Sequence, residues 1–287
     1  AARVALDVTA QNIANAGTEG YVRRSARMKE VSSTFGPGRV GDVSLSGVRL
    51  DRVVRNADLF RQAEVRRTGA DTARADAEVN GLENIEAAVE QSRVFPSMID
   101  FEGALQRLSG DTTDPSLRAG VIEAARTMIG TFNIAASGLD GVAKGLNFEA
   151  DAAVDQVNTL ATELARVNLR LSRASDPSSD QSPLLDQRDS LLQQIAGHAD
   201  VATSFGPDGT VELRLGGSGG RVMGQGGSAR PPAVAAGSNG VPVFTVGGDP
   251  LVLSGGDLAG KALSLSKLAD VRQELNGIAD SLIATVN

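Results

Sequence analysis

The feature that most constrains this 287-residue chain is an unbroken apolar stripe beginning just after Asp114. It runs through Leu117, Val121, Ala124, Met128, Phe132, Ala135, Leu139, Val142, Leu146, Ala150, Ala153, Val157, Leu160, Leu164, Val167 and Leu171. Fifteen steps cover 54 residues, a mean of 3.6, which is the helical period. At ~1.5 Å per residue this predicts a rod of about 80 Å. A rod of that length does not fit inside a globule of this size, so the molecule is expected to be elongated, with other helices laid along it. Asp114 and Pro115 supply the start: a carboxylate that accepts orphan backbone N–H groups, then proline at the first helical position. Gly130, Gly138, Gly141 and Gly145 each weaken the helix by ~1 kcal/mol relative to alanine, which predicts a kink or break near 137–147.

Apolar spacing elsewhere adds to this rod. Residues 3–15 read as a short helix with Leu6, Thr9, Ile13 and Ala16 at helical spacing. Residues 20–55 alternate apolar and polar side chains and read as two or three strands, with a turn at Phe35–Gly38 and one strand at Gly41–Ser46. Residues 56–92 read as a helix with Ala75, Val79, Leu82, Glu86 and Val89 as its inner stripe, ended by Pro96. Met98, Phe101, Leu105 and Leu108 mark a shorter helix. After a polar loop at 172–181, Ser182-Pro183 starts a helix with Leu184, Leu185, Leu191, Leu192 and Ile195 on one side. Residues 200–257 lose the helical period; Val201–Phe205 and Thr210–Leu215 flank a Gly-Pro-Asp-Gly turn, and Val222-Met223 and Val241–Val246 are further strands. The period returns from Leu263 to Val286.

The fold class is therefore α+β: an elongated bundle of long helices, a short N-terminal β segment and a small inserted all-β domain. Residues 1–200 together with 258–287 are expected to form one discontinuous helical domain, including the β segment 20–55. Residues 201–257 form the insertion, and their deletion is expected to leave the helices folded. Ala1 in place of an initiator Met, and no helix stop at Asn287, predict ends cut from a longer chain and hence a monomeric molecule.

Charge and residue inventory narrow the function. The net charge of −7 argues against a nucleic-acid binder, whose phosphate contacts need a basic excess. The charge is uneven: residues 1–74 carry 13 Lys and Arg against 8 Asp and Glu, a surplus of +5 that leaves −12 for the rest. Opposed potentials of this kind fit either two solvated surfaces or head-to-tail docking of subunits. Arg23, Arg24, Arg27 and Lys29 form a basic cluster, but only Tyr21 could stack on a base. No cysteine is present, and no apolar run approaches a membrane span.

Catalytic patterns are weak throughout. His198 is the only histidine and is expected to satisfy carbonyls at a helix end. Ser218 lies in a formal G-x-S-x-G match, but a nucleophile elbow needs a helix after it and a later histidine. Asp186 and Asp189 stand one turn apart and read as a solvated helix face rather than an acid/base pair. The sequence therefore predicts no catalytic, cofactor-binding or metal-binding residue and no cofactor.

Two segments resemble a known family. Val8–Tyr21 resembles the signature shared by bacterial flagellar rod, hook and hook-associated proteins, roughly S-x-N-I-A-N-x-x-T-P-G-Y. Asn12-Ile13-Ala14-Asn15 and Gly20-Tyr21 are present, while Glu19 replaces the proline. Leu184-Leu185-Asp186-Gln187-Arg188-Asp189 followed by Leu191-Leu192 resembles the L-L-D-Q-R-D-x-L-L stretch of the hook-associated protein 1 (FlgK) family. Val53–Phe60, Asp114–Arg118 and Gly256–Gly260 support it. The resemblance implies a structural protein joining hook to filament, extracellular on the flagellum and exported without a cleaved signal peptide. It implies self-assembly into a helical ring and contact with the hook protein, with a neighbouring hook-associated protein on the filament side, and with a flagellar export chaperone. The alternatives are another axial protein of the hook or rod, mostly β outside its terminal helices, or a non-flagellar helical adaptor. The sixteen-position stripe argues against the first, and the Asn-Ile-Ala-Asn signature against the second.

Overall fold

The computed structural model describes residues 2–18, 21–31, 47–174, 181–237 and 240–286. Six helices and nine strands follow in this order: α1 Ala2–Ala14, β1 Arg24–Val31, β2 Gly47–Arg55, α2 Leu59–Ser92, α3 Val94–Gly110, α4 Pro115–Arg173 and α5 Gln181–His198. Then come β3 Val201–Phe205, β4 Val211–Leu215, β5 Arg221–Gln225, β6 Ser228–Ala229, β7 Pro232–Ala236, β8 Pro242–Val246, β9 Asp249–Leu251 and α6 Asp257–Val286. The turn expected at 35–38 and the strand expected at 41–46 lie outside the described residues.

Helix α4 is the spine. Its 59 residues form one uninterrupted helix, about 88 Å long at the standard rise. Asp114, in extended conformation, accepts from the Ser116 amide at 2.7 Å, and Pro115 occupies the first turn. At the other end Arg170 and Arg173 face the negative pole of the helix dipole. All sixteen stripe positions are buried or half-buried. The break expected at 137–147 is absent, because tertiary packing on the stripe outweighs the glycine penalty. The N-terminal half of α4 packs on α2, α3 and α6 around Ile85, Val94, Ala135, Leu139, Leu268 and Leu275. Its C-terminal half packs on α5 and the later strands around Val157, Leu164, Leu171, Leu192, Leu213 and Met223.

Helix α2 contradicts the expected stripe. Ala75 and Glu86 are exposed, Val79 is 52% and Leu82 38% exposed, and only Val89 turns partly inward. The buried face instead carries the small residues Ala70, Gly81 and Ser92 beside Arg66 and Ile85, with Ala77 and Ala88 between them. Close approach is the reason. A Cβ on Gly260 would meet Ala77 Cβ at 2.8 Å and collide with the Arg74 carbonyl; one on Gly81 would collide with Ser264; one on Gly138 would meet Ala88 Cβ at 3.3 Å. Periodicity reads large side chains, whereas this contact selects for their absence. Pro96 does not end α2. Arg93 does, in the left-handed region at φ 59°, and Pro96 sits in the first turn of α3, where its missing N–H is not needed. Leu105, expected on the inner side of α3, is 37% exposed.

Glycines of the two kinds should respond oppositely. Gly260→Ala is expected to destabilise by about 1–3 kcal/mol through overpacking. Gly141→Ala, with nothing within 4 Å of the added methyl, should stabilise by ~1 kcal/mol. Urea midpoints of the two variants check this.

The strands form a two-stranded antiparallel hairpin (β1-β2), a four-stranded meander (β3-β4-β5-β6) and a three-stranded meander (β7-β8-β9). Both meanders lie between α5 and α6 in sequence. Their inward residues Val211, Leu213, Leu215, Met223, Phe244, Val246 and Leu251 belong to the same core as α4 and α5. The place where the chain leaves the helices is stitched to the place where it returns. Asp200 N–H donates to Gly255 O, and the Asp200 carboxylate accepts from Ser254 N–H at 3.0 Å and its hydroxyl at 2.7 Å. Gly256, at φ 83°, presses against the backbone of His198 and Ala199, and no side chain fits there.

Candidate functional site

Asp186 and Asp189, expected on a solvated face, instead anchor a buried ionic cluster. Helix α5 turns Leu184, Leu191, Leu192 and Ile195 into the core. That fixes its other residues against the base of the β1-β2 hairpin and the start of α2. Arg24 and Arg55 are cross-strand partners at that base. Two like charges directly opposite each other repel. Asp186 relieves this by accepting from Arg24 Nη2 and from Arg55 Nε, both at 2.7 Å. Asp189 accepts from Arg55 Nη2 at 2.6 Å, from Gln62 Nε2 at 3.0 Å and from Arg188 Nη2 and Nε at 2.6 and 2.8 Å. Arg188 reaches on to the Gly209 carbonyl at 2.6 Å, with its guanidinium 4.5 Å from the Phe205 ring centre. One cluster thus ties the hairpin, α2, α5 and the β3–β4 turn.

The cluster is desolvated. The side chains of Arg55, Arg188 and Asp189 are 6%, 4% and 6% exposed. Burial, opposed by the Asp189 charge, lowers the pKa of Arg188 and of the neighbouring Arg66 from the ordinary arginine value. Arg66 Nη2 donates to Thr203 Oγ1 at 3.3 Å. Arg24 Nε and Gln62 Oε1 are buried without a partner. A cavity of about 470 Å³ lies alongside, lined in part by Tyr21, Gln62, Val65, Arg66 and Asp189. It holds no nucleophile–histidine pair, because His198 is elsewhere.

The N-terminal signature joins the same cluster. The Asn12 side-chain amide imitates a strand: Nδ2 donates to Arg24 O at 2.8 Å, and Oδ1 accepts from Arg24 N–H at 2.9 Å and from the Tyr21 hydroxyl at 3.0 Å. The Arg24 guanidinium lies 5.4 Å from the Tyr21 ring centre. Asn15 finishes α1, donating to Gln11 O at 2.9 Å and accepting weakly from Thr18 Oγ1. Arg24 is therefore the hinge pin between the two signatures, holding Asn12 through its backbone and Asp186 through its guanidinium.

Not every signature residue is in this joint. Ile13 is 73% exposed, and the α1 stripe of Leu6, Thr9, Ile13 and Ala16 faces outward, with Val8 the buried residue instead. Gln187 is exposed. Leu184 is in the core, and Leu185 rests on the Gly209 turn. Gly20 lies outside the described residues. Sequence reasoning gave Gln62 no role and held Arg55 only as part of the Val53–Phe60 match; for Arg55 the opposed charge of residues 1–74 and the remainder was the available signal.

His198 is the last residue of α5 and does not serve end carbonyls. Its Nδ1 lies 3.2 Å from both Asp257 oxygens, and Lys261 Nζ donates to Asp257 at 2.8 Å. Burial alone raises the Asp257 pKa, but the hydrogen bonds from His198 and Lys261 outweigh it, so the net shift is downward. A carboxylate with a lowered folded pKa adds stability above its unfolded pKa and loses it as pH falls through the folded value. Asp257→Asn is thus expected to flatten the fall of the urea midpoint between about pH 5 and pH 2. Ser218 sits in the turn between β4 and β5, with a strand and not a helix after it. Among the described residues there is no group of three or more metal-ligating side chains, and no helix is long and apolar enough to cross a membrane.

Comparison with known proteins agrees with this architecture. Residues 79–287 match the family described as the flagellar hook-associated protein FlgK helical domain, and residues 1–21 match the flagella basal body rod protein family. Flagellar hook-associated protein 1 of Escherichia coli K12 is 30% identical over 234 residues, covering 80% of this chain and 42% of that protein. The protein of the same name in Bacillus subtilis 168 is 26% identical over 217 residues, covering 73% of this chain and 43% of that one. The chain thus spans about two fifths of the length of these relatives. The flagellar hook junction protein FlgK from Burkholderia pseudomallei shares the fold, with a TM-score of 0.59 at 18% identity, over 71% of this chain and 38% of that one. The matched helical domain covers most of the chain, from the middle of α2 to the end of α6, and on this ground the chain belongs to the FlgK family of flagellar hook-associated proteins.

Proposed function

We propose that this chain is part of a structural protein of the bacterial flagellum that joins the hook to the filament, and that it carries load rather than catalysing a reaction. The observation that supports this best is the use of the signature residues. Asn12, Tyr21, Asp186, Arg188 and Asp189 are spent on one another and on Arg24 and Arg55, leaving none poised toward a substrate. A rigid clasp between a hairpin and the helices α2 and α5 suits a protein that transmits torque. The helices, taken as one discontinuous unit of residues 1–200 and 258–287, would form the tube wall. The meanders of 201–257 would face outward. The partners under this reading are further copies in a helical ring, the hook protein, a second hook-associated protein on the filament side, and an export chaperone. The protein would work outside the cell after export without a cleaved signal.

Electron microscopy of cells lacking the protein tests the reading. Hooks without filaments are expected, with filaments restored when the gene is returned. Normal filaments in its absence would refute it.

A further inference from the structure

The β1-β2 hairpin carries four cations on one face. Arg27 pairs with Arg52 and Lys29 with Arg49 across the strands. Arg49 and Arg52 are three residues apart and would face opposite sides of a regular strand. The register shift after Arg27 inserts Asp51 as an extra residue in β2, and this brings Arg49 back to the face of Arg52. All four side chains are exposed, and none is ion-paired to a described carboxylate. Two like-charged pairs directly opposite each other destabilise an isolated hairpin. Their presence calls for an acidic surface against them.

The molecule has one of matching character on α2. The outward stripe of Val79, Leu82, Glu83, Glu86 and Glu90 combines three carboxylates at i, i+3 and i+7 with two exposed aliphatic side chains. No Lys or Arg lies between Arg74 and Arg93. Arginine stems can cover Val79 and Leu82 while their heads meet the carboxylates. The hairpin cannot reach this stripe in its own molecule. Its base is level with Gln62, since both bind the Asp186/Asp189 cluster. Glu83 and Glu90 lie about 30 and 40 Å further along α2. The four cations lie only about 10–17 Å beyond Arg24.

We infer that the cationic face of the hairpin in one copy docks on the Val79–Glu90 stripe of α2 in a second copy. The two patches differ, so the contact is heterologous and propagates from copy to copy, closing as a ring or continuing as a helix. The inference deepens the flagellar reading by naming one contact surface within the assembly.

The chain has no cysteine, which permits a clean test. The protein carrying both Arg52→Cys and Glu86→Cys is oxidised in isolated flagella and, separately, as concentrated purified protein. A ladder of cross-linked copies is expected on a non-reducing gel, with at most dimers from either single substitution. Arg27→Glu/Arg49→Glu and Glu83→Lys/Glu90→Lys, each added to the cysteine pair, should each lower the yield by ~10-fold. Mixing those two variants should restore it, since each reversed patch then meets its complement. No ladder in either setting, or no recovery on mixing, overturns the inference. So does a hairpin variant that loses binding to anionic vesicles or nucleic acid while its cross-linking is unchanged. A ladder from purified protein that restores no filaments in cells counts against the flagellar reading and not against this contact.

Discussion

Asp189→Ala is expected to lower the unfolding free energy by about 3–5 kcal/mol, the largest effect of any single substitution in the ionic joint. Asp189 is the shared acceptor of Arg55, Arg188 and Gln62. Removing it leaves Arg188, 4% exposed, with only the Gly209 carbonyl and the Phe205 ring. Burial already lowers the Arg188 pKa, so the loss of Asp189 leaves a desolvated charge with no directly bonded carboxylate and only the weaker field of Asp186. Urea unfolding followed by circular dichroism measures the effect. Asp71→Ala, which breaks an ion pair whose side chains are 51% and 60% exposed, is the control and should shift stability by well under ~1 kcal/mol.

Deleting residues 201–257 is expected to abolish cooperative folding of the α4–α5 region, against the separability suggested by the sequence. Val211, Leu213, Leu215 and Met223 are each at most 1% exposed and pack in the core formed by Val157, Leu164, Val167 and Leu171. At about 1.5–3 kcal/mol for each fully buried side chain, these four alone contribute ~6–12 kcal/mol. That is comparable with the whole stability of a typical domain, ~5–15 kcal/mol. The deletion also removes Asp257 and the stitch between residues 198–200 and 254–257. Thermal melts should show loss of much of the helical signal, with no sharp transition for what remains. A deletion variant melting cooperatively near the parent temperature would show that the helices do not need the sheets.

The sequence revealed α4 fully because each of its stripe positions is apolar and a long helix averages out local weakness. It misled at α2, where Val79 and Leu82 draw attention to the face that points outward. The buried face is defined by Gly81, Ala77 and Ala88, whose value is their small size against Gly260, Ser264 and Gly138. Strands β6, β7 and β9 escaped notice because they are short or carry Pro232 and Pro250, which argue against a strand when no sheet edge is known. The ionic joint was half legible. Asn12, Tyr21 and the Asp186–Asp189 run stood out as signatures. Their connection through Arg24 spans 162 residues of sequence, and no local pattern reports a contact of that range. Reading Asp186 and Asp189 as solvated followed from their helical spacing, and the arginines of the hairpin base made the difference.

A double-mutant cycle between Asn12 and Asp186 tests most directly whether the two signatures act as one clasp through Arg24. The two side chains each bind Arg24, one through its backbone and one through its guanidinium. Asn12→Ala and Asp186→Ala should show a coupling of at least about 0.5–1 kcal/mol in urea unfolding, and the coupling should vanish in an Arg24→Ala background. Additivity within ~0.3 kcal/mol in the wild-type background would mean that the signatures are independent and that the clasp does not exist.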